Sequence, residues 1–360
     1  LMTESKRSLM VMAGGTGGHV FPALAVAEQM KSRGFDICWL GTRAGIEARL
    51  VPEHGIKLEF ITVTGVRGKN ILTLLKAPFL ILLALKQSLT VLRQYKPCVV
   101  LGMGGFVSGP GGFAAKLLGI PLVVQEQNAV PGTTNRLLAK WAARVLEGFS
   151  GAFSHPNAIF TGNPVRAEIT ALAAIERKPS ADAINVLVVG GSLGAVVLNQ
   201  ILPGAMRKLS SVSALNISHQ TGKGRAEQVQ AAYQANGINA QVNEFIIDMA
   251  AAYQWADVVF CRAGALTVSE LACAGLPSVL VPYPYAIDDH QTANARWLAN
   301  NGAAIVMPQS EMTEESIVKE LTKIISDKNV LAAMSAAAKK CAVPDATARV
   351  ADYCEEACYA

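Results

Sequence analysis

Short, uninterrupted apolar runs alternate with longer amphipathic stretches along most of this chain, and the alternation predicts its elements. A parallel strand covered on both faces reads as a continuous apolar run rather than as an apolar–polar alternation. Such runs stand at residues 9–12, 37–40, 58–63, 98–101, 122–124, 144–146 and 158–161. Helical stretches such as 22–33 and 110–118 separate them. A second series follows at 186–189, 215–219, 241–244, 258–260, 278–281 and 304–306. Strand–helix alternation predicts a doubly wound parallel α/β sheet, and its repetition predicts two similar halves. The first half ends near Gly162-Asn163-Pro164-Val165-Arg166. The polar stretch 167–180 is expected to be helical and to lead into the second half. The tail 345–360 reads as a last helix that returns to the first. The expected domains are therefore 1–164, joined by a helix at about 343–360, and 165–342.

Four of the runs end in glycine-rich turns. They are Gly14-Gly15-Thr16-Gly17-Gly18-His19, Gly102-Met103-Gly104-Gly105 continuing to Ser108-Gly109-Pro110-Gly111-Gly112, Gly190-Gly191-Ser192-Leu193-Gly194, and Arg262-Ala263-Gly264 continuing to Glu270. Glycines at a strand-to-helix turn let a ligand lie against bare backbone N–H groups. The helix N-terminus behind them favours phosphate. Several such turns predict a large diphosphate-bearing ligand, or two of them. Ligands of open sheets lie beyond the C-terminal strand ends, so the turns are expected around one groove between two closing domains.

Composition narrows the class. A chain of 360 residues exceeds one ordinary core, and 51% hydrophobic with 16% charged residues excludes disorder. Seven cysteines without framework spacing predict reduced thiols. Cys354 and Cys358 lack a second pair, which argues against a metal site there. The polar residues 3–7 run straight into the first strand, so no signal peptide is expected. A net charge of +5 with 6% aromatics fits an anionic membrane or a phosphorylated substrate, and not nucleic acid.

One segment breaks the pattern. Residues 71–86 are strongly apolar, but the uninterrupted core covers only 77–85. A spanning helix needs about 20 apolar residues, so this one does not cross a bilayer. Arg67, Lys69, Lys76 and Lys86 flank it. An apolar face with basic neighbours describes an interfacial membrane contact, through Leu75, Lys76, Phe79, Leu82, Leu83 and Lys86. The plainer alternative is a crossover helix buried on the sheet.

The first turn is not a dinucleotide fingerprint, because the third glycine of that pattern would fall on Val20. The chain has no P-loop and no Asp-x-Asp pair to chelate a metal diphosphate. His19 ends the first turn at a helix start, where an imidazole stays neutral and takes a proton near pH 7. It is either a base or positioning group, or a satisfied cap. Glu126, after the strand at 122–124, is the rival base or the group that orients His19. Asn128 offers donor and acceptor to a sugar hydroxyl. Glu270, about a turn into its helix, is placed for two vicinal ribose hydroxyls, or is an exposed carboxylate. Asp288-Asp289-His290-Gln291 opens a helix and either reads sugar hydroxyls or caps it. Arg166 is a phosphate partner or a solvated charge, and Ser192 is expected at the same groove.

Together the four turns, Gln125-Glu126-Gln127-Asn128 and Gly162-Asn163-Pro164-Val165-Arg166 resemble the MurG family, the bacterial N-acetylglucosaminyltransferases of peptidoglycan synthesis. The resemblance covers nearly the whole chain. It implies a GT-B fold of two Rossmann-like domains facing an interdomain cleft. It implies inverting transfer of N-acetylglucosamine from its UDP conjugate to the 4-hydroxyl of undecaprenyl-diphospho-N-acetylmuramoyl-pentapeptide, lipid I, giving lipid II. Carried over, Thr16, Gly17, Gly18, Asn128, Arg166, Ser192, Ile246, Ala265, Leu266, Thr267, Val268, Ser269, Glu270 and Gln291 match donor-binding positions. Gly104, Gly105, Ser108 and Gly109 are assigned to the acceptor diphosphate, and His19 and Glu126 to catalysis. No metal or other cofactor is expected in the site. The implied partners are UDP-N-acetylglucosamine, lipid I, the anionic surface of the inner membrane at its cytoplasmic face, and cell-wall synthesis and division proteins. The segment 283–287 departs from the family pattern. Competing readings are a related transferase with another lipid or aglycone acceptor, a nicotinamide or flavin oxidoreductase, and a non-catalytic sugar-nucleotide sensor.

Overall fold

The structure, a computed structural model, describes residues 7–63, 71–177, 180, 182–191 and 194–359. Ser192, Arg67 and Lys69 lie outside the described residues, as do the side chains of Leu75 and Lys76. The chain divides into two units, Leu1–Arg166 with Asp345–Ala360, and Ala167–Pro344. Arg166 thus closes the first unit.

The first unit holds one parallel sheet of β1 (Ser8–Met12), β2 (Asp36–Gly41), β3 (Lys57–Phe60), β4 (Val99–Gly102), β5 (Leu122–Glu126), β6 (Arg144–Glu147) and β7 (Ala158–Phe160). Their order is β3-β2-β1-β4-β5-β6-β7, all parallel. Its helices are α1 (Gly17–Ser32), α2 (Glu47–Glu53), α3 (Ile71–Tyr95), α4 (Ser108–Leu117) and α5 (Thr133–Leu138). The continuous apolar runs have a direct cause. Leu9 and Val11 of β1 enter one core with Val20, Ala23 and Val26 of α1, whereas Met10 and Met12 enter another with Ala84 and Leu92 of α3 and Ala114 of α4. Both faces are covered, so alternation disappears. The run at 58–63 pairs only as far as Phe60.

The second unit repeats the plan with β8 (Ile184–Val189), β9 (Leu215–Gln220), β10 (Ala240–Asn243), β11 (Val258–Cys261), β12 (Ser278–Leu280) and β13 (Ala304–Val306). The order is β10-β9-β8-β11-β12-β13, again all parallel. Its helices are α6 (Ala167–Thr170), α7 (Val196–Leu209), α8 (Ala226–Ala235), α9 (Met249–Trp255), α10 (Ala265–Ala274), α11 (His290–Asn300), α12 (Glu314–Ile325) and α13 (Lys328–Lys340). The expected helix over 167–180 is cut short: α6 passes into a 3-10 turn at Ala171–Ala174 and Ile175 is extended. Beyond it, Arg177 turns inward and donates to the carbonyls of Tyr253, Ala256 and Ala274, at the C-terminal ends of α9 and α10. A guanidinium there satisfies carbonyls that the helices leave open.

The tail forms α14 (Ala346–Tyr359), which packs on α1, β4, β5 and β6 of the first unit. Val350, Ala351 and Cys354 are buried beside α1, and Arg33 donates to Asp352 and Glu355 at 2.7 and 3.1 Å. Cys98, just before β4, and Cys358 of α14 are joined as a disulfide. This corrects the expectation that all seven thiols are reduced. Cys354 is a buried free thiol whose pKa burial pushes up to about 12.

Candidate active site

In the first unit, the site residues collect at the C-terminal ends of β1, β4 and β5. The chain leaves β1 through Gly14 and Gly15 and enters α1 after Thr16, whose extended backbone caps the helix without a side-chain bond. His19 N and Val20 N both reach Thr16 O, so the N–H groups of Gly17 and Gly18 are the ones left for a ligand. Beneath this turn lies Glu47, fully buried. Its carboxylate accepts from Gly15 N (2.9 Å), Thr42 N (2.9 Å) and Thr42 Oγ1 (2.8 Å). The turn after β4 presses against the first. A Cβ on Gly105, where φ is +80, would lie 2.4 Å from Gly14 O, and one on Gly104 would lie 2.8 Å from the His19 ring. Only bare backbone lets the two turns approach so closely.

Two expected roles are corrected here. Ser108 is fully buried; its hydroxyl accepts from Gly104 N at 3.1 Å and donates to Gly104 O or Met12 O. It staples the turn and has no face for a diphosphate; Gly109 is half-buried in the first turn of α4. Glu126 is 2% exposed. One oxygen accepts from Asn128 N and Nδ2, the other from Gly132 N and Asn135 Nδ2, at 2.9–3.0 Å. With both oxygens committed to its own loop, this carboxylate does not orient His19 and is not placed as a base. The group that meets His19 is Gln127, whose Oε1 lies 2.7 Å from Nδ1. Sequence reasoning passed over Gln127 and Glu47. The signal for Gln127 was strand alternation, which sends Gln125 and Gln127 to the side opposite Glu126. Asn128 and Arg166 are half-buried.

In the second unit, α10 starts after Gly264 with no side-chain cap, and Val268 N is the first N–H to find a helical partner, Gly264 O. The N–H groups of Ala265, Leu266 and Thr267 are left at the helix start. Within 265–270, the Val268 side chain is fully buried, Ala265 nearly so, and Ser269 Oγ donates back to Ala265 O. Leu266, Thr267 and Glu270 keep half-exposed side chains. Glu270 accepts from Tyr253 O–H at 3.0 Å, a partner the sequence did not reveal. Gln291, in the first turn of α11, accepts from Tyr283 N and Ala263 N through Oε1. That fixes the amide so that its NH2 is the group offered outward. Asp288 and Asp289 before it both have left-handed backbones, φ 51 and 52. Arg262 ties the same loop down by donating to Val281 O, Pro282 O and Gln309 Oε1. Ile246 is half-buried in the irregular segment between β10 and α9.

The α3 segment carries both features that the sequence offered as alternatives. Ala77, Ala84, Ser88, Val91 and Leu92 are buried, while Phe79 (81%), Leu82 (63%), Ile81 and Leu83 are exposed beside exposed Lys86. Exposed Phe113, Leu117 and Leu137 extend the apolar surface over α4 and α5, which pack in series on α3. Lys116 Nζ stands 4.4 Å over the Trp141 ring there. Among the described residues no helix is long and apolar enough to cross a membrane.

With the geometry in place, known proteins can be set beside it. Residues 9–147 match the glycosyltransferase family 28 N-terminal domain, and residues 185–350 match the family's C-terminal domain. The chain is 54% identical over 355 residues to the UDP-N-acetylglucosamine–N-acetylmuramyl-(pentapeptide) pyrophosphoryl-undecaprenol N-acetylglucosamine transferase of Shewanella amazonensis, covering 98% of each chain. A crystal structure of Acinetobacter baumannii MurG superposes with a TM-score of 0.85 at 42% identity, covering 97% of this chain and 99% of that one. The glycosyltransferase of kitacinnamycin superposes with a TM-score of 0.71 at 18% identity, a likeness of fold alone.

Proposed function

The chain belongs to glycosyltransferase family 28, and from that membership we propose that it transfers N-acetylglucosamine from UDP-N-acetylglucosamine to the undecaprenyl-diphospho-muramoyl-pentapeptide, making lipid II from lipid I. The carrying observation is the end-to-end match to transferases of that name, which includes both units and every described turn of the site. In the step, the 4-hydroxyl oxygen of the muramoyl sugar attacks C1, the bond from C1 to the UDP oxygen breaks, and the configuration inverts. The hydroxyl proton goes to His19, and UDP leaves with the bonding electron pair.

Each unit supplies part of this chemistry. In the first, the N–H groups at Gly105 and Gly109 suit the acceptor diphosphate, while Gly104 N donates to Ser108 Oγ, which holds the turn in shape. In the second, the open N–H groups of α10 receive the donor diphosphate and stabilise the charge that grows on it. Glu270, oriented by Tyr253, accepts from ribose hydroxyls, Gln291 donates its NH2 to the sugar, and Ile246 reads the uracil edge through its backbone. On this reading the helix N-terminus neutralises part of the diphosphate charge without a metal, which the chelator arm of the test below decides. The exposed face of α3, α4 and α5 with Lys86 and Lys116 suits an anionic bilayer, so the enzyme works peripherally at the cytoplasmic face of the cell membrane.

The test is transfer of labelled N-acetylglucosamine to a short-chain lipid I analogue, with and without excess chelator. Transfer that survives chelation supports the reaction and its metal-free diphosphate site. Loss in chelator, restored by a divalent ion, overturns the metal-free part. Absence of transfer with UDP-N-acetylglucosamine binding intact overturns the acceptor.

A further inference from the structure

Three buried amides stand behind His19 in a relay that begins at backbone carbonyls. Asn163, 3% exposed, directs Nδ2 at Gln127 O (2.9 Å). A carbonyl only accepts, so the NH2 of Asn163 must face it and Oδ1 must face the other way. That Oδ1 accepts from Gln125 Nε2 at 3.2 Å, and Gln125 Nε2 also reaches Glu126 O at 3.3 Å. Gln125 Oε1 is therefore the acceptor for Gln127 Nε2, which in addition donates to Gln125 O at 3.2 Å. Every amide in the series faces one backbone carbonyl, so each orientation is fixed twice. Gln127, 1% exposed, is left with Oε1 directed at His19 Nδ1, 2.7 Å away. An amide oxygen cannot donate. The proton of a neutral His19 must then sit on Nδ1, and the lone pair on Nε2.

We propose that Gln127 is a positioning residue that locks His19 as the Nδ1–H tautomer and so presents Nε2 as the proton acceptor for the acceptor hydroxyl. The proposal rests on the reading of His19 as the base. It gives the Gln125-Glu126-Gln127-Asn128 and Gly162-Asn163-Pro164 segments one shared task, since one supplies two of the amides and the other supplies the third. The carboxylates on the surrounding elements, Glu47 beneath Gly15 and Glu126 beside Gln127, each have both oxygens held by N–H or O–H donors, so neither competes for Nδ1. The tautomer is set by a neutral oxygen.

Two variants isolate that oxygen. Gln127→Met and Gln127→Glu both lose the NH2 that serves Gln125, but only Glu keeps an acceptor for Nδ1–H. The expected result is a kcat for Gln127→Met at least about tenfold below that of Gln127→Glu, with KM for UDP-N-acetylglucosamine alike in the two. Equal kcat in both variants would mean that the amide only fills space, and would overturn the proposal. Two-bond proton–nitrogen correlation spectra of 15N-histidine-labelled full-length protein decide the point without any variant. A single Nδ1–H form of His19, assigned by its loss in His19→Gln, supports the lock, and an Nε2–H form refutes it. The reading beneath it fails separately: a His19→Gln enzyme with undiminished kcat would remove the base while leaving the tautomer spectrum of the wild type as it stands.

Discussion

Glu126 shows how a carboxylate that looks chemical can be structural. Four N–H donors converge on its two oxygens from Asn128, Gly132 and Asn135, which ties the loop after β5 into one conformation. Glu126→Gln turns an NH2 towards at least one of these donors. It should cost about 1–3 kcal/mol of stability in urea denaturation. The pH–rate profile should keep its acid limb, because both oxygens of this carboxylate are committed to its own loop. His219 is a second buried case. Its Nδ1 accepts from Tyr233 O–H and its Nε2–H donates to Asn199 Oδ1, both at 3.0 Å, and Asn199 Nδ2 in turn holds Thr221 O. Burial drives its pKa from 6.5 down to about 3. The unfolded chain therefore takes up a proton below pH 6.5 that the folded chain refuses until about 3. The stabilising contribution is complete above about 6.5 and is lost as pH falls, by about 2 kcal/mol at pH 5. Unfolding free energies of wild type and His219→Gln, compared at pH 7 and pH 5, should differ in slope by that amount, and parallel slopes would contradict it.

Elements were the most legible level of the sequence, for a physical reason. Central strands such as β1 are covered on both faces, Leu9 and Val11 by one core and Met10 and Met12 by another, so their continuous apolar runs need no tertiary knowledge to be read. The helix expected at 167–180 failed because its end is decided elsewhere: Arg177 is drawn to carbonyls contributed by α9 and α10, far away in sequence. The link from Cys98 to Cys358 was illegible for the same reason, since 260 residues separate the pair. That bond fastens α14 to the start of β4, and its loss has a measurable cost. Oxidised wild type should exceed Cys98→Ser by about 2–4 kcal/mol in unfolding free energy, and the gap should close in excess thiol reductant. The α3 helix makes a separate prediction. Phe79 and Leu82 are exposed at 81% and 63%, and each would be worth about 1.5–3 kcal/mol if buried in lipid. Phe79→Ser and Leu82→Ser should each weaken binding to anionic vesicles by about tenfold or more in flotation assays, with transfer to a water-soluble acceptor analogue unaffected.

The whole molecule consists of two units, each with its own parallel sheet and its own glycine turns at the strand ends. The turns were readable because bare backbone at a strand-to-helix junction has a sequence signature. The groups that hold the turns in shape were not, because Glu47, Gln127 and Tyr253 act through tertiary contacts that leave no local pattern. The division predicts how damage should separate. His19 lies in the unit whose turns suit the acceptor, whereas Glu270 and Gln291 belong to the uncapped helix start and the loop that suit the donor. His19→Ala should lower kcat by about 10²–10⁴-fold and leave calorimetric UDP affinity unchanged. Glu270→Ala removes a charge-assisted acceptor for the ribose and should weaken UDP binding by about tenfold, with KM for the donor rising in step. If His19→Ala instead lost UDP affinity and kept kcat at saturation, the base would have to be sought elsewhere.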